Sequence, residues 1–508
     1  MELLREAVRI ETLITDMEEQ ALVEGNIALP GNMSELDNVL LVEGRVSMGS
    51  TEVLDGRVLV DGTVVFNVIY SDAGGEILSY ESMSNFQHGM DAPQAETGMN
   101  GNTAANIQQV EYKVNDQRNI AVNAVVNMHC NVTKSDMCNV VSDIKGDDGV
   151  QMIQEEIEIP IVKVAGERFT VREDVALSQG MPGVKEIFSK SAFARVSSTR
   201  PETDRVAVEG DIYIRLLYID EENQLQNAVV TVPFGDIVMF DGMQAQDEVF
   251  ANVVANDVFV APLEEGSRIM NVEIYANNSV TAKAVERHTT LKDCYSLNSK
   301  LKPSKETLHM REIQAKGAGK CTVRDAISLP GGIPQISRVV TMNALPLVTS
   351  QKAEYGKAEI EGIMFMNIVY VSMEGSLRSV DVQTAFAGDV DVYGIHEGMT
   401  LQVRPDVEST YAAGTGLQIE VKVVMNVEVT GYENRKVEIM KDVESQERTE
   451  RIDGGITVYF AEKGEELWNV AKRFNTTIDI VKKYNPGLSE ETEMKEGQKL
   501  LLYRPYAS

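Results

Sequence analysis

Residues 59–70 read LVDGTVVFNVIY, residues 207–218 read AVEGDIYIRLLY, and residues 359–370 read EIEGIMFMNIVY. The glycines Gly62, Gly210 and Gly362 stand 148 and then 152 residues apart. Upstream, LPGNMSELDNV from Leu29, LSQGMPGVKEI from Leu177 and LPGGIPQISRV from Leu329 keep those two offsets. Downstream, Phe86, Phe234 and Phe386 keep them as well. Blocks that hold register over about 60 residues in all three places mean one unit written three times.

Within a unit the period is two. Val58, Val60, Gly62, Val64, Phe66, Val68 and Tyr70 share one parity, as do Val206, Val208, Gly210, Ile212, Ile214, Leu216 and Tyr218. Such alternation predicts a strand with one buried face. A second strand follows in each copy. It is carried by Ile120, Val122, Ala124, Val126 and Met128, by Met270, Val272, Ile274 and Ala276, and by Ile419, Val421, Val423, Met425 and Val427. β-Branched enrichment and breaks such as Asp72-Ala73-Gly74-Gly75 complete the reading of a mainly β chain. Each unit is expected to be an antiparallel β-sandwich or half-barrel. Its glycine sits on the core parity of a run of about 13 residues, or ~43 Å of strand, which predicts a bulge or bend there. A sharper expectation is that the repeated Phe covers the space the glycine leaves. Met364, Met366 and Met425 read as adaptable core residues.

The offsets place the units at residues 5–150, 151–300 and 301–445, a charged linker at 446–455, and a further module at 456–505. The charge distribution sets that module apart. Residues 457–508 carry eight acidic and eight basic side chains, so the whole net charge of −31 lies before them. A field of that sign repels nucleic acid and anionic lipid and argues against both as partners. The N-terminal MELLREAVRIETLITDMEEQ lacks an apolar core of signal-peptide type, and no run approaches the ~18 apolar residues of a membrane span. Four scattered cysteines (Cys130, Cys138, Cys294, Cys321) fit a reducing compartment. These features predict a cytoplasmic multidomain protein.

In the last module Thr457–Ala461 reads as a strand. Leu467, Val470, Ala471 and Phe474 give a first helix, with acids expected in its opening turn. Thr477 caps a second helix carrying Ile478, Val481 and Tyr484, and Lys499–Tyr503 closes the module as a strand. This β-α-α-β order resembles the LysM domain. The matching residues are Val458, Gly464, Leu467-Trp468-Asn469-Val470-Ala471, Asn485-Pro486 and Gly497-Gln498-Lys499-Leu500. The resemblance implies a groove between residues 462–468 and 485–498, usually for N-acetylglucosamine-containing glycans. Its candidate binding residues here are Lys463, Gly464, Glu465, Glu466, Leu467, Trp468, Asn485, Pro486 and Gly497. Glu465, Glu466, Glu490, Glu491 and Glu493 crowd that groove, and desolvating carboxylates against a neutral sugar is costly. Trp468, the single tryptophan, suits two readings: partial burial within the domain, or a hot-spot aromatic at a protein interface.

Three acidic β repeats ahead of one LysM domain resemble the SPOCS family of spore-coat proteins. That resemblance implies a non-enzymatic assembly adaptor working on the mother-cell side of the forespore surface. The implied partner of its LysM domain is the coat-basement ATPase, stage IV sporulation protein A. The repeats would supply scaffolding and self-association. The alternative is a protein binding peptidoglycan or other N-acetylglucosamine glycans of the cell wall or cortex.

Catalytic and cofactor signatures are not found. The five histidines do not recur at the repeat offsets, and His129-Cys130 with Cys138 lacks a fourth ligand for zinc. The DIKGDDG stretch at 143–149 lacks the spacing of a calcium loop, and no P-loop, GxGxxG, GxSxG or HExxH occurs. No cofactor and no metal are expected.

Overall fold

The computed structural model describes residues 1–329, 331–447, 455–488 and 494–504. The first repeat runs β1 (Glu2–Ala28), β2 (Asn38–Leu54), β3 (Arg57–Ser71), β4 (Ile77–Asp91), β5 (Asn100–Val114) and β6 (Asn119–Lys145). The second runs β7 (Val150–Ala176), β8 (Glu186–Glu202), β9 (Arg205–Ile219), β10 (Leu225–Met239), β11 (Val249–Pro262) and β12 (Ile269–Ser296). The third runs β13 (Ser299–Ser328), β14 (Ile336–Glu354), β15 (Lys357–Ser372), β16 (Leu377–Asp391), β17 (Thr400–Thr415) and β18 (Gln418–Glu447). Most of the expected charged linker, 448–454, lies outside the described residues.

Each repeat is a sandwich of two three-stranded antiparallel sheets, not a half-barrel. In the first the orders are β2-β3-β4 and β1-β6-β5, and the other two repeat them. The alternation read from the sequence fills the space between the sheets. Val58, Val60, Val64, Phe66, Val68 and Tyr70 of β3 pack against Ile120, Val122, Ala124, Val126 and Met128 of β6. Met364, Met366 and Met425 are buried in the matching core of the third repeat. The tyrosine that ends each quoted stretch also ties down the Leu29, Leu177 or Leu329 block. The hydroxyls of Tyr70, Tyr218 and Tyr370 donate to the carbonyls of Ser34, Pro182 and Pro334, each at 3.1 Å.

The repeated glycine and phenylalanine are direct cross-strand partners: Gly62 with Phe86, Gly210 with Phe234, Gly362 with Phe386. The ring lies in the space a side chain would take, so the aromatic covers the glycine. The expected irregularity falls on the opposite neighbour. Register shifts at Met48/Thr51, Val196/Ser198 and Val348/Ser350 begin at the residue paired with each glycine, while β3, β9 and β15 run on without a break.

The first and last strands of each repeat outrun the sandwich. β1 and β6 are each 27 residues long, and their outer parts, Glu2–Thr12 with Lys134–Lys145, continue beyond β5 as a two-stranded arm. The three arms pack on one another. Val8, Val140, Ile157, Ile159, Leu308 and Ile439 form one shared cluster, and Val141, Leu291 and Met440 anchor a second. A third cluster joins the sandwiches through Ile69, Leu217 and Val369, which occupy one position in the three repeats, together with Leu40 and Phe188. Equivalent residues meeting in threes give the chain a pseudo-threefold arrangement, a trimer made within one polypeptide.

Candidate functional site in the C-terminal domain

The last domain consists of β19 (Gly455–Phe460), α1 (Leu467–Arg473), α2 (Ile478–Tyr484) and β20 (Lys499–Arg504), with β19 and β20 antiparallel. Leu467, Val470, Ala471, Val481, Leu500 and Leu502 form its core. Thr477 caps α2 as expected, its hydroxyl accepting from the Ile480 N–H at 3.1 Å. α1 starts at Leu467, but without the acids expected in its opening turn. Glu466 is its N-cap, without a side-chain cap bond.

Several candidate residues are occupied in holding the domain together. Glu465 is turned inward. Its carboxylate accepts from the Tyr459 hydroxyl at 2.8 Å and from the Glu462 N–H at 3.3 Å, and Arg473 pairs with it at 3.1 Å. The bond to the Glu465 carboxylate raises the Tyr459 pKa. The Asn485 amide donates to the Val481 and Leu501 carbonyls and accepts from the Leu501 N–H, all at 2.7 Å, which locks the end of α2 to β20. The two groove loops are joined by backbone bonds, Gly464 N–H to Met494 O at 2.9 Å and Met494 N–H to Glu465 O at 2.8 Å. Leu467 is core. Lys463, Gly464, Glu466, Pro486 and Gly497 remain exposed. Glu490, Glu491 and Glu493 lie outside the described residues.

An open groove does lie beside the first loop, lined by Glu462, Lys463, Gly464, Glu465, Asn469, Lys472 and Arg473. Its lining is charged, and among the described residues it holds no aromatic platform for a sugar ring.

Trp468 faces neither the groove nor solvent; it is 8% exposed. Its ring meets Tyr295 of β12 edge-on, with centroids 4.9 Å apart. Its indole N–H donates to Asp293 Oδ2 at 2.8 Å, and Lys472 reaches both oxygens of the same carboxylate at 2.6 and 2.7 Å. The Tyr295 hydroxyl donates to the Thr476 carbonyl at 2.7 Å, and Asn475 donates to Leu297 O at 3.1 Å. Burial pushes the Asp293 carboxyl up, but its bonds to Lys472 and Trp468 outweigh this and hold it below the ordinary carboxylate value. Burial, with Asp293 nearby, pushes the Tyr295 phenol up to about 12. Asp293, Tyr295 and Leu297 were not singled out from the sequence. The available signal was a break in the repeat: position 295 is aromatic where its counterparts are Lys145 and Glu444.

The outer face of the two-stranded sheet was also missed. Ile456, Val458, Phe460 and Leu501 stand together on it, with Ile456 72% and Phe460 61% exposed. Contiguous exposed apolar side chains of this kind mark interaction surfaces.

Among the described residues no group of acidic, histidine or cysteine side chains is arranged to hold a metal, and no helix is long and apolar enough to cross a membrane. His129 lies 2.7 Å from Asp16, and Cys130 is buried in the sandwich core.

Comparison with known families gives two matches. The family model described as SipL, SPOCS domain, matches residues 35–115, 183–262 and 335–413. The LysM domain model matches residues 461–502. Together they cover more than half of the chain, and in each repeat the match begins after the first strand and ends before the last. No curated protein and no solved structure matches.

Proposed function

We propose that this chain, which belongs to the SPOCS-domain family and carries a C-terminal LysM domain, is a non-enzymatic assembly adaptor of the spore coat. SPOCS and LysM domains are binding domains. In this reading the LysM domain recruits the chain to a protein partner at the forespore surface, the coat-basement ATPase stage IV sporulation protein A. The three interlocked repeats act as a scaffold and as contact surfaces for further copies. The observation that carries a protein ligand over a glycan is the lining of the LysM surface. Its groove is charged and its loops are tied to each other, while among the described residues an apolar sheet face of Ile456, Val458, Phe460 and Leu501 is exposed.

The test is removal of residues 455–508 from a fluorescently tagged chain in sporulating cells. Loss of the forespore signal, with the repeats still folded by circular dichroism, is the expected result. An unchanged signal contradicts recruitment through LysM. The second reading, binding of N-acetylglucosamine glycans of the wall or cortex, draws on the LysM family's usual ligand and on the open groove beside Lys463 and Asn469.

A further inference from the structure

Asp143, Asp293 and Asp442 occupy one position in the three repeats. Each stands just past the β-bulge of its arm and accepts a bond from the next backbone N–H, at 2.8, 2.9 and 3.0 Å. The surroundings of the three differ. Asp442 is paired with Arg5 at 2.7 Å, and two residues beyond Asp143 and Asp442 stand Lys145 and Glu444. Only the second copy has an aromatic there, Tyr295, and among the described residues only it packs against the LysM domain, with Ile153 and Leu297 completing the apolar floor. Conversion of one arm end in three into an aromatic, acidic seat has a local consequence. The seat fits the Trp468–Lys472 face of α1, one ring against another and one ammonium on one carboxylate.

That face holds the aromatic best suited to a protein interface. Trp468 cannot sit on Tyr295 and on a partner at once. We propose that the second repeat is a masking seat: it holds the LysM domain through Asp293 and Tyr295, and a protein partner gains the Trp468 face only when the domain leaves the seat. The masking rests on the recruitment reading above; the seat itself does not. A docked majority lowers apparent affinity by the undocked fraction, so weakening the seat tightens partner binding.

The experiment uses the full-length chain, whose single tryptophan reports the seat directly. Asp293→Asn removes the charge that Lys472 meets, Tyr295→Ala removes the ring, and Asp143→Asn at the equivalent position of the first repeat is the control. Tryptophan emission and acrylamide quenching are read first, then binding to the purified coat-basement ATPase. The expected result is red-shifted, more readily quenched emission in both seat variants and not in the control. Loss of a charge-assisted contact of this type corresponds to about a tenfold to hundredfold gain in the ratio of undocked to docked chain, and affinity rises with the undocked fraction that the emission reads, levelling off once that fraction is large. Unchanged emission in both seat variants, with native circular dichroism, overturns the seat. Shifted emission with unchanged or weaker ATPase binding overturns the masking. If no form of the chain binds the ATPase, the recruitment reading fails and takes the masking with it, while the emission result still decides the seat.

Discussion

The pairing of each core glycine with a phenylalanine permits a graded test. A Cβ added at Gly62 would lie 2.7 Å from two atoms of the Phe86 ring and 2.9 Å from the Ser47 carbonyl. At Gly210 its nearest neighbour would be the Arg195 carbonyl oxygen, and at Gly362 the Leu347 carbonyl oxygen, each closer than the phenylalanine ring. A ring can swing by a few tenths of an ångström, whereas a carbonyl fixed in a sheet moves only with its strand. Overpacking a close-packed core costs typically about 1–3 kcal/mol, occasionally more. A glycine-to-alanine change also returns about 0.4–1 kcal/mol by stiffening the unfolded chain. Gly62→Ala should therefore cost about 1 kcal/mol, and Gly210→Ala and Gly362→Ala about 3 kcal/mol each. The assay is urea unfolding followed by far-ultraviolet circular dichroism. A second arm separates ring from backbone. In a Phe86→Leu background the penalty at Gly62 should shrink, because the ring makes the closest contact there. In a Phe386→Leu background the penalty at Gly362 should persist. A Gly362→Ala chain with an unshifted midpoint would refute the reasoning, as would equal penalties at all three sites.

Three further outcomes are expected. Leu217→Ala, at the point where the three sandwiches meet, should cost about 2–5 kcal/mol and split the unfolding transition into separate steps, visible by calorimetry. Thr290, fully buried where its counterparts are Val140 and Ile439, accepts from the Met440 N–H at 3.1 Å; Thr290→Val should cost about 1–3 kcal/mol in urea unfolding by leaving that donor unpaired. Asp406 is an exposed carboxyl of β17 with Arg215 of the second repeat and Glu428 and Arg404 of its own repeat around it, and desolvation by its crowded surroundings, with Glu428 nearby, raises its pKa to about 6 against the pull of Arg404 and Arg215. A raised carboxyl stabilises when protonated, so its contribution is complete below the ordinary value and lost as pH rises through about 6. Asp406→Asn should then raise stability at neutral pH and flatten the slope of midpoint against pH between about 4 and 7.

Much of the fold was legible because the relevant signals are local and repeated. Alternation in 58–70 and 120–128 gave the two faces of the sandwich, and the offsets gave three copies of it. The Thr477 cap and the Leu467, Val470, Ala471 stripe gave the LysM helices. The pairing of Gly62 with Phe86 was also inferable, since both residues recur at the same offsets. The arms were not legible. Sequence period cannot tell a strand that stays in its sheet from one that leaves it to meet two others, and Val8, Ile157 and Leu308 alternate like any core residues. The candidate site was half legible. Spacing located the LysM loops. It could not show that Glu465 and Asn485 are consumed by bonds within the domain, or that Asp293 is the acceptor for Trp468, 175 residues away. Contacts at that separation leave a trace only where a repeat departs from its siblings, as Tyr295 does.

The most direct test of protein recruitment is a paired calorimetric titration of the full-length chain, with N-acetylglucosamine oligomers in one cell and the purified coat-basement ATPase in the other. Saturable heat with the ATPase and none with the oligomers is the predicted result. Saturable heat with the oligomers alone would contradict it and return the LysM domain to its family's usual ligand.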